Sequence, residues 1–306
     1  MANGQNPWKY EPNVGLATIV CIIFIFLTTL HGYQLLRTRT WYFIAFWIGG
    51  VLECIGYLTR IWSAKQKPDY STGPYAISQI MVLIAPSLFA ASMYMELGRI
   101  IRLVGGEAYS LVRVSRLTKI FVIGDIIAFL AQAGGAALLS SDSVSTSNTG
   151  QKILIVGLVI QIIFFALFVV VSLVFHMRIA GKATEKMMQY PSMPWKKHLV
   201  NIYVASTLVL IRCIFRLIEY AAGEDGYLLT NEWPNYVFDT LLMIIVMVAF
   251  NVIHPSEVKA LLNGNGRAMR KIVKSHFISL PGLEGNGDDA AKEANGHHME
   301  QFSSRV

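Results

Sequence analysis

The chain has 306 residues, of which 54% are apolar and only 15% are charged, and its mean hydropathy is +0.48. This composition excludes an ordinary soluble domain, in which about a quarter of the residues are charged. The formal net charge of +7 lies mainly near the ends of apolar runs, so a nucleic-acid partner is not needed to explain it.

Long apolar runs dominate the chain. About 20 residues cross a hydrocarbon core as a helix, and in lipid only helices or closed barrels satisfy their backbone polar groups. The pattern therefore predicts an all-α fold, a seven-transmembrane helical bundle over residues 16–254, with the first run retained rather than removed as a signal peptide. The runs cover residues 16–36, 41–62, 76–101, 119–139, 153–175, 199–220 and 236–254.

Lysines and arginines are distributed unevenly between the two sets of connecting segments. Sixteen lie in one set together with the region after the last run, and four lie in the other set. The positive-inside rule then predicts an extracellular N-terminal segment (1–15) and a cytoplasmic tail (255–306). The basic segment 259–274 is suited to anionic lipid headgroups. Residues 281–306 are predicted to be disordered, and the polar segment 140–152 is predicted to be a flexible outer loop.

Ionisable side chains inside the apolar runs are the most informative feature. An arginine at the bilayer centre costs about 2.5–3.5 kcal/mol on insertion scales, so it is expected to face a partner or a wet cavity. Arg212, Arg216 and Glu219 have the spacing i, i+4, i+7, which places them on one helix face. We expect this face to meet carboxylates on the second and seventh runs, namely Glu53 or Asp239.

The charges either line a polar cavity or form ion pairs that only fix the helix register. Nine charged residues over five runs are more than are needed to fix the helix register, which favours a cavity. Pro86, inside the third run, removes a backbone donor and is expected to kink that helix. The predicted cavity or substrate residues are Glu53, Arg60, Glu96, Arg99, Asp125, Gln132, Gln161, Arg212, Arg216, Glu219, Asp239 and His254.

Collinear motifs span nearly the whole membrane region. They read GVLECIGYLTR, LIAPSLFAASMYMELGRII, FVIGDIIAFLAQAGG, GLVIQIIFFALF, RCIFRLIEYAAGEDGYL, EWPNYVFDTLLM and NVIHP. Together they resemble the fungal seven-span lipid-translocating exporter family, of the aminocholesterol-resistance and sphingoid long-chain-base-resistance type. The resemblance implies a fungal origin, a plasma-membrane or other membrane location, and movement of amphiphiles such as sphingoid bases; some relatives are linked to sterol analogues or porphyrins.

The resemblance implies a transporter rather than an enzyme, with no cofactor and with membrane lipids and amphiphilic small molecules as partners. No G-x-x-x-x-G-K-[ST] motif is present, so transport would be gradient-driven, passive or dependent on a partner. A receptor-like lipid sensor is the first alternative, although the seventh run lacks both a lysine for a retinal Schiff base and an Asn-Pro-x-x-Tyr motif. A metal-dependent lipid hydrolase is the weaker alternative, because its candidate ligands are not paired as H-x-x-x-H or H-E-x-x-H. Those ligands are His31, His176, His198, His254 and Asp125.

Overall fold

The computed structural model describes residues 8, 10–66, 70–139, 143–182, 184–189, 193–223, 226–269 and 272–279. Long antiparallel helices form the body of the protein, and short elements connect them. In chain order these are α1 (Val14–Thr38), a 3-10 turn (Trp41–Phe43) leading into α2 (Ile44–Ala64), α3 (Thr72–Leu103), α4 (Val114–Leu139), α5 (Val144–Ala180), α6 (Glu185–Gln189) and α7 (Trp195–Ala221).

The last membrane segment is interrupted. It comprises α9 (Trp233–Asn235), a π-helical turn (Tyr236–Thr240), α10 (Leu241–Val252) and, after Pro255, α11 (Ser256–Leu262). The short helix α8 (Tyr227–Thr230) precedes this segment. An antiparallel hairpin of β1 (Asn265–Met269) and β2 (Ser275–Ser279) follows, with Ala268 opposite His276.

Seven helical segments among the described residues are long and apolar enough to cross a membrane. They coincide with the seven predicted runs, so the all-α, seven-span prediction is confirmed. Large apolar side chains point outward along these helices, for example Phe26 at 66% exposure and Leu130 at 62%. An apolar exterior of this kind suits lipid as the surrounding solvent.

Close helix packing in one half of the bundle depends on a glycine. A Cβ atom at Gly135 of α4 would lie 2.5 Å from the backbone nitrogen of Leu154 and 2.7 Å from the carbonyl oxygen of Gly150, both on α5. Small residues at such crossings let two backbones approach within membranes, where dispersion contacts drive association. The α4–α5 pair is therefore held at backbone contact.

The prediction of a flexible loop over residues 140–152 is wrong for its C-terminal part, because α5 begins at Val144. The polar residues there continue the helix while it packs along α4. Gln151 Nε2 also donates to the carbonyl oxygen of Tyr220, 2.8 Å away, which fixes this end of α5 against α7. Tertiary contacts thus outweigh the local preference of a Ser/Thr-rich sequence for a turn.

The segment after the last span is folded over its described part, and the sequence did not predict this. The hairpin lies against α11 and α1, where Gln34 Nε2 donates to the carbonyl oxygen of Ile272 at 2.9 Å. Lys259 Nζ donates to the carbonyl oxygens of Thr38 and Arg39 at 3.2 and 2.7 Å, satisfying the C-terminal end of α1. The predicted disorder of residues 281–306 lies outside the described residues.

Candidate functional site

Four charged side chains form a buried cluster between α7 and the π turn. Asp239 accepts hydrogen bonds from Arg212 Nε and from Arg216 Nη2, and Arg216 Nη1 donates to Glu219 Oε2 at 2.9 Å. Each of the four is at most 4% exposed. The i, i+4, i+7 spacing places the three α7 residues on one face, and that face meets the seventh membrane segment.

The π turn sets the position of Asp239. A π turn is wider than an α-helical turn and appears mostly as a local bulge, frequently at functional sites. Here it covers Tyr236–Thr240 and is tied to α2 by a hydrogen bond between the hydroxyls of Tyr57 and Thr240. The carboxylate of Asp239 is thereby held between two arginines of α7.

Arg212 also stabilises the helix defect at Pro86. Because proline has no N–H group, the carbonyl oxygen of Val82, four residues earlier in α3, loses its usual intrahelical donor. Arg212 Nη2 donates to that oxygen at 3.0 Å. One buried guanidinium therefore links α3, α7 and the π turn.

Glu53 lies beside this cluster and forms no ion pair with any other residue that the structure describes. Its side chain is 1% exposed, and its Oε1 has no hydrogen-bond partner among the described residues. The charges of Arg212, Arg216 and Asp239 all act on it. Together with Glu53, the cluster brings three carboxyl groups and two guanidinium groups close to each other.

A cavity of about 310 Å³ adjoins the cluster at the end of the bundle that carries the N-terminal segment. Its walls come from α3, α4, α5 and α7, and α4 contributes a row of alanines. We call it the alanine-lined cavity. Of the predicted substrate residues, only Arg216 and Glu219 line it. The lining also includes Trp8, Tyr75, Gln79, Ala133, Ala136, Ala137, Leu154, Tyr220 and Asn235.

The N-terminal segment closes this end of the cavity through Arg60. Arg60 Nη2 donates to Tyr10 Oη at 2.7 Å and to Glu232 Oε1 at 2.9 Å, and its Cζ lies 4.6 Å from the ring centroid of Trp8. Glu232 Oε2 accepts from the backbone N–H of Asn13 at 2.9 Å. Burial raises the pKa of Tyr10, so its phenol stays protonated at neutral pH despite the opposing charge of Arg60.

Arg60→Gln is expected to release this segment. The substitution removes charge-assisted hydrogen bonds, each worth about 1.5–3 kcal/mol, while α2 itself keeps its packing. Cleavage at Glu11 by a glutamate-specific protease should become at least tenfold faster than in wild type. Lys65→Gln, an exposed charge change at the same helix end, serves as the control. Equal cleavage rates in all three proteins would show that Arg60 does not hold the segment.

Two other predicted residues lie at the opposite end of the bundle. Tyr42 Oη donates to Glu96 Oε2 at 2.6 Å, and the Tyr42 ring carries the guanidinium of Arg99, with Cζ 3.7 Å from the ring centroid. His198 Nδ1 lies 3.6 Å from Glu96 Oε1 and His198 Nε2 lies 3.0 Å from Glu257 Oε2. None of these side chains lines the cavity that Glu219 faces.

The remaining candidates pair with uncharged neighbours. Tyr94 Oη donates to Asp125 Oδ2 at 2.9 Å. Gln132 Nε2 donates to Gln161 Oε1 at 2.9 Å, linking α4 to α5. His254 is buried, and its Nδ1 accepts from the backbone N–H of Ser256 at 3.2 Å.

The predicted site residues therefore lie in several parts of the bundle, and their contact with a substrate stays a prediction. Glu53, Arg60, Glu96, Asp125, Gln132, Gln161, Arg212, Asp239 and His254 do not line the cavity that Glu219 faces, and Arg99 lines a different pocket. Local partners account for this separation, since a buried charge is stabilised by the nearest donor or acceptor. Several of those partners are tyrosine hydroxyls, at positions 10, 42 and 94, which have no signal of their own in an apolar sequence.

The histidines named for a metal site do not assemble into one. The rings of His31 and His254 lie 5.2 Å apart between centroids, whereas His176 packs against Trp195 and Tyr203. Within the part of the chain that the structure describes, no group of three or more His, Cys, Asp or Glu side chains is arranged to hold a metal ion.

Comparison with known proteins identifies the family. The model of the family described as "RTA1 like protein" matches residues 46–260, from α2 to α11. The chain belongs to the RTA1-like family. The matched region contains Arg212, Arg216, Glu219 and Asp239, so the buried cluster lies within it.

Curated relatives from Saccharomyces cerevisiae support this membership. The chain is 36% identical to Protein RTA1 over 70% of its own length and 65% of that protein's length. It is 33% identical to Protoporphyrin uptake protein 1 over 69% of this chain and 67% of that one. It is 29% identical to the sphingoid long-chain base transporter RSB1, over 80% of this chain and 72% of that one.

The protein is thus a multi-pass membrane protein of the RTA1-like family, and seven helices in the described part of the chain are long and apolar enough to span a membrane. It spans about two thirds of the length of the first of these relatives. No solved structure matches the chain.

Proposed function

We propose that this protein moves amphiphilic lipids with a basic nitrogen headgroup, such as sphingoid long-chain bases or sterol-like cationic amphiphiles, across the bilayer. The observation that carries the proposal is the cavity of about 310 Å³, in which the carboxylate of Glu219 stands among apolar walls. Small-molecule sites typically occupy about 300–1,000 Å³ and combine apolar walls with a few placed polar groups.

Glu219 is the carboxylate best placed to receive an ammonium group. Asp239 already accepts from two guanidinium groups, whereas Glu219 shares Arg216 with Asp239. Of Glu53, Glu219 and Asp239, only Glu219 lines the cavity, so a ligand held there meets this carboxylate. The alkyl part of the ligand would lie along the alanine wall of α4.

Two further observations support transport. One relative is named a sphingoid long-chain base transporter and another a protoporphyrin uptake protein, so movement of amphiphiles recurs among similar proteins. The charge distribution of the connecting segments favours an extracellular N-terminus and a cytoplasmic C-terminus, with the plasma membrane as the proposed location. In that orientation the cavity lies in the outer half of the bilayer.

Glu219→Gln is expected to weaken binding and movement of a cationic amphiphile. Loss of one charge-assisted contact costs about 1.5–3 kcal/mol, which corresponds to a tenfold or greater rise in Kd. The purified protein would be reconstituted in liposomes, and the transbilayer movement of a fluorescent sphingoid base would be followed. A neutral ceramide with the same label tests the need for charge, and Glu185→Gln, an exposed change on α6, is the matched control.

Each part of the proposal has its own contrary result. If wild-type liposomes move the sphingoid base no faster than protein-free liposomes, transport is contradicted. If wild type and Glu219→Gln move it equally fast, the assignment of Glu219 is contradicted while transport stands. Saturable binding without movement would instead support a receptor-like lipid sensor.

A further inference from the structure

A second, smaller pocket lies at the end of the bundle opposite the alanine-lined cavity. Its volume is about 130 Å³, and it is formed by Tyr42 before α2, by α3 and by the first turns of α4. A single water molecule occupies about 30 Å³, so the pocket has room for a small polar group. The lining residues are Tyr42, Met95, Gly98, Arg99, Arg102, Val114 and Thr118.

Positive charge in this pocket is not neutralised by a neighbouring acid. Arg99 is half-buried and stacks on the Tyr42 ring, yet it forms no salt bridge with any carboxylate in the described parts of the chain. Arg102 Nε lies 3.8 Å from Glu107 Oε1, and both side chains are at least half exposed. Such exposed pairs contribute little, about 0–1 kcal/mol, so Arg102 remains available.

The nearest buried acid is committed elsewhere. Glu96, one turn before Arg99 on α3, accepts from the Tyr42 hydroxyl at 2.6 Å and attracts Arg99 only through space. More positive charge comes from Lys259, which is electrostatically coupled to both Arg99 and Arg39. Lys186 Nζ approaches the backbone of Arg102, with 3.3 Å to its carbonyl oxygen.

We infer that this pocket binds a phosphoryl group, either on an anionic lipid headgroup or as free phosphate. A guanidinium whose plane is held on an aromatic ring presents its N–H edge in a fixed direction, which suits two oxygens of a phosphate. The hydroxyl of Thr118 supplies a further donor in the lining. Basic pockets between membrane helices bind phosphorylated lipid headgroups in this way. This site does not depend on the proposed transport of amphiphiles.

The test measures ligand-induced stabilisation of the full chain in an uncharged detergent. Three probes are added in separate arms: short-chain phosphatidic acid, short-chain phosphatidylcholine and inorganic phosphate. A ligand that binds only the folded state raises Tm according to its concentration relative to Kd. The variants are Arg99→Gln, Arg99→Lys and, as a control at the same end of the bundle, the exposed Arg116→Gln.

Wild type and Arg116→Gln should be stabilised by phosphatidic acid with a Kd at least tenfold lower than for phosphatidylcholine. Arg99→Gln should raise the Kd for phosphatidic acid at least tenfold. The Kd of Arg99→Lys should lie between those of wild type and Arg99→Gln, because lysine keeps the positive charge but lacks the two-pronged N–H edge of the guanidinium. A comparable response to inorganic phosphate would identify free phosphate as a ligand. Equal affinity in Arg99→Gln and wild type overturns the inference, and so does an equal response to the two lipids combined with no response to inorganic phosphate. If Arg99→Gln does not fold, Arg102→Gln takes its place with the same expectation.

Discussion

Asp239→Asn should destabilise the protein by about 3–5 kcal/mol and greatly reduce the yield of monodisperse protein. Asp239 accepts from both Arg212 and Arg216, and all three side chains are at least 96% buried. Removing one partner of a buried ion pair leaves an uncompensated charge, which costs far more than the pair itself contributes. Here the substitution would leave two guanidinium groups with reduced compensation at membrane depth.

Glu53→Gln is the matched control for this prediction. It also neutralises a buried carboxyl group in the same cluster, but Glu53 Oε1 has no hydrogen-bond partner among the described residues. Because Glu53 forms no ion pair with a residue that the structure describes, neutralising it should change stability by less than about 1 kcal/mol. Thermal unfolding in detergent and gel-filtration profiles would compare the two variants. Equal destabilisation by both substitutions would contradict the different roles assigned to these acids.

A double-mutant cycle sharpens the assignment. Arg216→Met removes one of the guanidinium groups that Asp239 neutralises, so combining it with Asp239→Asn should cost less than the sum of the single substitutions. Combining Arg212→Met with Asp239→Asn should recover less stability, because Arg212 also donates to the carbonyl oxygen of Val82, four residues before Pro86. Additive effects in the first cycle would mean that Arg216 and Asp239 are not coupled.

The spans and the shared face of Arg212, Arg216 and Glu219 were predictable because both depend on local periodicity. Apolar length identifies a span, and 3.6-residue geometry places residues seven apart on one side. The sequence also predicted that Pro86 frees a backbone carbonyl. It could not predict that Arg212 supplies the missing donor, because that contact joins two helices 130 residues apart.

The separation of the predicted site residues has a different physical origin. Periodicity gives the face and depth of each charge but not which neutral side chain stands opposite. The Tyr94 hydroxyl donates to Asp125, and the Tyr42 hydroxyl donates to Glu96 while the Tyr42 ring carries the guanidinium of Arg99. Charges at similar depth therefore lie in different environments. The hairpin after α11 was missed for a related reason: a basic juxtamembrane composition does not reveal that Gln34 and Lys259 bind this region to α1.

Gly135→Ala should destabilise the protein by about 1–3 kcal/mol although it adds only one methyl group. That methyl would lie 2.5 Å from Leu154 N and 2.8 Å from Leu154 Cα, which are backbone atoms of α5 that no side-chain rotation can move away. Overpacking of this kind forces helices apart. Leu154 and the α4 alanines line the cavity that Glu219 faces, so displacement of α4 from α5 should also change the shape of this cavity.

Gly134→Ala provides the comparison, since the neighbouring glycine has nothing within 4 Å of its added Cβ and is exposed. Replacing it should be neutral or stabilise α4 by about 0.5–1 kcal/mol through lower backbone entropy in the unfolded chain. The two variants have the same composition, so a difference in Tm between them isolates the α4–α5 backbone contact. If the proposed transport uses this cavity, Gly135→Ala should slow sphingoid-base movement at a temperature where both variants remain folded. Identical Tm values and rates would show that α4 and α5 are not in backbone contact and that the cavity wall does not depend on it.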